Sequence, residues 1–122
     1  MLEISLDDKN KIAILKPNGA LSQDDFKEVT RVINPFIEKT GKINGIIVYT
    51  ESFPGWDSFM GLLEHLKFIK EHHKKISYVA FVTDSPVGEF AEDIGNHFVS
   101  AEVKNFSFNE LEDAKRWILE DK

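Results

Sequence analysis

At 122 residues and 14.0 kDa, with 42% hydrophobic and 30% charged side chains, the chain has the size and composition of one folded domain spanning residues 1–122. Its 15 basic against 21 acidic side chains leave a formal net charge of -6, which argues against a nucleic-acid partner, since neutralising phosphates takes a basic face. With no cysteine it can form no disulfide scaffold, thiol nucleophile or cysteine-ligated metal centre.

The opening Met1-Leu2-Glu3-Ile4-Ser5-Leu6-Asp7-Asp8 is acidic where a signal peptide is basic. No apolar run approaches the roughly 20 residues needed to span a bilayer. A cytoplasmic location is the expectation.

Leu2, Ile4 and Leu6 alternate with polar neighbours, as in a strand with one wet face. After the turn cluster Asp7-Asp8-Lys9-Asn10, a second strand is predicted over residues 12–16, stopping at Pro17-Asn18-Gly19. The short polar link makes the pair an antiparallel hairpin. Ser22 is placed to cap a helix, with Asp25 at its third position. Phe26, Val29, Ile33 and Ile37 stripe that helix to about Thr40, where Gly41 is the stop. Pro35 lacks a backbone donor, so a kink or break is expected near Asn34.

Ile46-Ile47-Val48-Tyr49 reads as a strand covered on both faces. Asp57 or Ser58 caps a second helix carrying Phe59, Leu62, Leu63, Leu66 and Ile69, and a basic segment over residues 70–75 ends it. Residues 76–82 form a fourth strand. Ser85-Pro86 opens a third helix striped by Val87, Phe90, Ala91, Ile94 and Phe98. A fifth strand covers residues 102–107, and Asn109 with Glu112 starts a last helix bearing Leu111, Ala114 and Ile118, with Trp117 beside them. The order β-β-α-β-α-β-α-β-α implies an α/β fold: a mixed, mainly parallel sheet with an antiparallel N-terminal hairpin at its edge.

Three segments stand out beside this order: Asn18-Gly19-Ala20-Leu21-Ser22-Gln23-Asp24-Asp25-Phe26, Phe53-Pro54-Gly55-Trp56 and Glu110-Leu111-Glu112-Asp113-Ala114-Lys115-Arg116-Trp117-Ile118. With the element order, they make the chain resemble the STAS domain of anti-sigma-factor antagonists, and within that superfamily the SpoIIAA-like family. The resemblance implies a single STAS-like domain and a non-enzymatic role. The serine turn of phospho-switched members is absent. Ser52 and Ser58 lie nearby, but Glu51 and Asp57 would repel an added phosphate.

The segment from Phe53 to Ile69 is unusually apolar, holding Phe53, Trp56, Phe59, Met60, Leu63 and Phe68 among others. On a helix, Phe59, Leu62, Leu63, Leu66 and Ile69 share one face, while Met60 and Phe68 fall off its centre. One reading is a buried core helix; the other is a pocket or surface for a lipid, another apolar ligand or a partner. In the second reading Phe53, Trp56, Phe59, Met60 and Leu63 make the apolar contacts, and Phe90 and Ile94 face them from the third helix. Lys67, Lys70, Lys74 and Lys75, with His72 and His73, form the one basic cluster of an acidic chain. They either complement a helix C-terminus or meet anionic headgroups in reversible, peripheral membrane association. The competing reading is a protein-interaction module, homodimeric or bound to a regulator, using the same apolar surface.

His65, His72, His73 and His97 are not spaced as a metal set. No nucleophile elbow, phosphate loop or dinucleotide fingerprint is present, so neither cofactor nor enzymatic activity is expected. Asp84 stands where α/β sites often lie, with no evident catalytic partner.

Overall fold

The computed structural model describes residues 2–18, 23–41, 43–51, 78–84 and 102–120. Within them, β1 (Leu2–Asp7), β2 (Ile12–Pro17), β3 (Gly45–Tyr49), β4 (Tyr78–Val82) and β5 (Glu102–Phe106) form one sheet in the order β1-β2-β3-β4-β5. β1 and β2 are antiparallel and the remaining pairs are parallel, the predicted mixed sheet with its hairpin edge. Two helices are described, α1 (Gln23–Thr40) and α2 (Leu111–Glu120). The helices expected to open at Asp57 or Ser58 and at Ser85, with residues 76 and 77 of the fourth strand and the Ser22 cap, lie outside the described residues.

Alternation along the strands divides the core between two faces. Ala13, Leu15, Ile46, Val48, Val79 and Phe81 turn to one side, where Val29, Ile33, Phe36 and Ile37 of α1 meet the cluster and Ile4 and Leu6 pack at its margin. Ile12, Ile14, Ile47, Ala80 and Val82 turn to the other, against Ala114 and Ile118 of α2. Helices on both faces explain why the inner strands are apolar without interruption. β1, by contrast, alternates Leu2, Ile4 and Leu6 with Glu3, Ser5 and Asp7, because one of its faces stays polar.

α1 does not break at Pro35: the helix runs unbroken from Gln23 to Thr40. Proline removes the donor that would reach the Arg31 carbonyl, yet both residues are exposed, so water can take that acceptor. Burial of Ile33, Phe36 and Ile37 on either side holds the helix together across the gap. The stripe includes Phe36, which the i, i+4 reading passed over, while the side chain of Phe26 is not among those described. Gly41 ends the helix in the left-handed region, φ +85°, with its N–H donating to the Ile37 carbonyl at 2.7 Å.

Two further local features set the sheet's dimensions. The Asp7 carboxylate accepts from the Asn10 N–H and Nδ2, closing the hairpin turn, and Lys11 takes φ 57° there. Asn44 then ties this turn to the start of β3, its N–H donating to the Lys11 carbonyl and its Nδ2 to the Asn10 carbonyl, both at 2.7 Å. At the other end of β2, Pro17 lacks the N–H that pairing with Tyr49 would use. The ladder to β3 therefore stops at Leu15 and Val48, while Pro17 still stands opposite Leu2.

Candidate functional site

In sheets of this kind ligands and partners meet the carboxyl ends of the parallel strands, where the loops emerge. Here those ends carry Asn18, Thr50, Glu51, Thr83, Asp84, Ser107 and Phe108. Hydrogen bonding continues past the strands and fixes this rim. Thr50 N–H donates to the Val82 carbonyl at 3.2 Å, and Thr83 N–H to the Phe106 carbonyl at 2.9 Å. The Glu51 carbonyl accepts twice, from the Asp84 N–H at 3.0 Å and from Thr83 Oγ1 at 3.1 Å. Asp84 in turn accepts the Phe108 N–H on Oδ1 at 3.0 Å. The loops leaving β3, β4 and β5 are thereby laced together at their first residues.

Aromatic packing completes the rim. Phe108 stacks on Tyr49 with centroids 4.7 Å apart and planes 10° from parallel. Just beyond, the Glu110 N–H donates to the Ser107 carbonyl at 2.9 Å, and Glu110 Oε1 accepts the Ser107 N–H at 2.8 Å. The first helical bond of α2, from the Ala114 N–H, falls on the Glu110 carbonyl, so the helix is capped at Glu110 and not at Asn109. The reciprocal pair with Ser107 satisfies backbone groups that an Asn109 cap would leave open.

This arrangement constrains the chemistry. Thr83 is 2% exposed and its hydroxyl hydrogen is committed to a carbonyl, so it latches β4 to the loop after β3 instead of acting as a nucleophile. Asp84 has a partner, and that partner is a backbone amide at the mouth of α2. Among the described residues of the rim, no side chain stands as a base beside a nucleophile, and no group of three His, Cys, Asp or Glu is placed to hold a metal ion. No helix among the described residues is long and apolar enough to cross a membrane.

A second cluster lies at the β5 side of α2. Trp117 packs edge-on to Tyr78, with centroids 5.3 Å apart, and tilted against Phe106 at 5.9 Å. Lys104 Nζ sits 5.1 Å from the Phe106 centroid and 5.9 Å from that of Trp117. At the opposite, amino end of the strands, burial pushes the Asp7 carboxyl up. The Asn10 backbone and side-chain hydrogen bonds, the Lys115 charge and the Lys9 backbone outweigh it, so the group titrates below its ordinary value of 3.8.

The apolar residues named from the sequence, Phe53, Trp56, Phe59, Met60 and Leu63, lie outside the described residues, as do Phe90 and Ile94, the cations Lys67, Lys70, Lys74 and Lys75, and both Ser52 and Ser58. In chain order they follow Glu51 and Asp84, the two residues the rim holds in place. Sequence reasoning picked out Asp84 but missed Thr83 and the Tyr49–Phe108 stack. A threonine directly after an apolar strand is a weak signal for such a latch, and nothing local announces the stack.

Compared with known proteins, residues 12–119 match the family model described as SpoIIAA-like. No curated protein and no solved structure matches the chain.

Proposed function

The chain belongs to the SpoIIAA-like family, and on that footing we propose that it is a non-enzymatic regulatory module that works by binding another protein, in the manner of an anti-sigma-factor antagonist. The observation that carries this reading is the family match over residues 12–119. The rim supports it: its polar groups are spent on fixing the loops after β3 and β4, which suits a rigid docking platform better than a reaction centre. The loops so fixed lead into Phe53, Trp56, Phe59, Met60 and Leu63 and into Phe90 and Ile94, which we assign as the docking surface. Repulsion of an added phosphate by Glu51 and Asp57 argues that docking here runs without a serine switch at Ser52 or Ser58.

The width of the apolar arc between Phe53 and Ile69 favours a second reading, an apolar or lipid-like ligand seated against that segment, with Lys67, Lys70, Lys74 and Lys75 meeting anionic headgroups from the cytoplasmic side of a membrane. One comparison separates the two. Tagged protein is exposed to extract of its source cells, as wild type and as Trp56→Asp, Phe59→Asp and the α1 surface variant Glu28→Ala. A partner protein retained by wild type and Glu28→Ala but lost from both aspartate variants supports the module. Equal retention by all four refutes it. A lipid-sized adduct in native mass spectrometry, without any such partner, transfers the weight to the ligand.

A further inference from the structure

β1 and β5 are the two outer strands of the sheet, and they present different edges. The phase of the ladder follows from Thr50 N–H donating to the Val82 carbonyl. Carried through the registers, it turns the odd residues of β3 toward β2 and the even residues of β2 toward β1. Glu3, Ser5 and Asp7 then pair inward with Lys16, Ile14 and Ile12. The backbone N–H and C=O of Leu2, Ile4 and Leu6 point out of the sheet, and among the described residues no hydrogen bond reaches them.

β1 carries few of the devices that protect an edge. It has no lysine, proline or bulge, its two charges, Glu3 and Asp7, stand at inward-pairing positions, and its outward residues are all apolar. β5 is shielded by comparison: Glu102, Lys104 and Asn105 are exposed, and its next outward N–H, that of Ser107, is taken by Glu110.

We propose that β1 pairs antiparallel with β1 of a second copy of this chain, joining two five-stranded sheets across a two-fold axis at Ile4. Two features of the two-fold register favour β1 of a second copy. With all three outward residues paired, Leu2 faces the partner's Leu6 and Ile4 faces the partner's Ile4, which extends the apolar stripe already packed at the margin of the α1 face. On the polar face, Glu3 lands opposite the partner's Ser5, a donor for its carboxylate, and keeps Lys16 of its own chain on its other side, so no like charges stand directly opposite. This surface is separate from the docking surface assigned above, and neither reading depends on the other.

The absence of native cysteine makes the test direct. In the full chain, Ile4→Cys places two thiols on a hydrogen-bonded cross-strand pair, with Cα atoms about 5.5 Å apart, within disulfide reach. Leu6→Cys leaves its copies offset by four residues along the strands, about 14 Å apart. Mild oxidation is expected to cross-link Ile4→Cys into a species of twice 14.0 kDa and to leave Leu6→Cys as single chains. Sedimentation equilibrium should show a dimer for wild type. Ile4→Pro deletes an outward N–H together with the Ile4 side chain at the margin of the core and should weaken that dimer at least about tenfold, whereas Val103→Pro on the other edge should not. A monomeric wild type, or equal cross-linking of Ile4→Cys and Leu6→Cys, overturns the proposal. If Ile4→Pro does not fold, the cysteine pair decides alone.

Discussion

Replacing Gly45 with alanine tests the closest approach between the sheet and α2. A Cβ built at Gly45 would stand 2.9 Å from Ile118 Cδ1, 3.0 Å from Ile118 Cγ2 and 3.1 Å from the Tyr78 carbonyl oxygen. The first of these atoms ends a side chain and can rotate away. The second sits next to the helix backbone, and the third belongs to β4, so both resist movement. Overpacking of this kind costs about 1–3 kcal/mol. The smaller conformational freedom of an unfolded alanine chain returns about 0.4–1 kcal/mol. The expected net loss is about 1–2 kcal/mol, or a fall in Tm of roughly 3–8 °C for a chain of this size.

Urea unfolding followed by circular dichroism measures this loss, and a double-mutant cycle tests its cause. Ile118→Val removes Cδ1 but keeps Cγ2, and alone should cost about 0.5–1.5 kcal/mol. Combined with Gly45→Ala it should cost less than the two single losses together, by about 0.5–1 kcal/mol, because one of the three clashes is gone. An alanine variant as stable as wild type, or strictly additive losses, would refute the assignment of Ile118 as the residue that requires glycine here.

Two further outcomes follow from local structure. Because the Asp7 carboxyl titrates below its ordinary value in the folded chain, its charge adds stability above pH 3.8, and that contribution is lost as pH falls through the folded value. The gap in unfolding free energy between wild type and Asp7→Asn should therefore shrink between about pH 7 and about pH 2.5, and a gap that stays constant would deny the role of the charge. Pro35→Ala restores an N–H for the Arg31 carbonyl at an exposed position, so denaturant melts should show a gain of about 2 kcal/mol after the unfolded-chain term is deducted; a loss would mean that the proline contributes packing in α1.

What the chain's own pattern determined is whatever depends on neighbours in sequence. Alternation at Leu2, Ile4 and Leu6, the stripe through Val29, Ile33 and Ile37, and a glycine at position 41 each follow from backbone geometry over a few residues, and each stands in the structure as read. Tertiary structure alone decided the rest. α1 survives Pro35 because residues around it are buried against strands distant in sequence. Thr83 becomes a latch because β4 lies beside β3, bringing Glu51 within hydrogen-bonding distance across 32 positions. The partners of a strand edge, a buried hydroxyl or a stacked ring are chosen by which elements are adjacent in space, and periodicity carries no record of that adjacency. For the same reason the apolar surplus between Phe53 and Ile69 is legible as a pattern, while its occupant is a matter for the binding comparison.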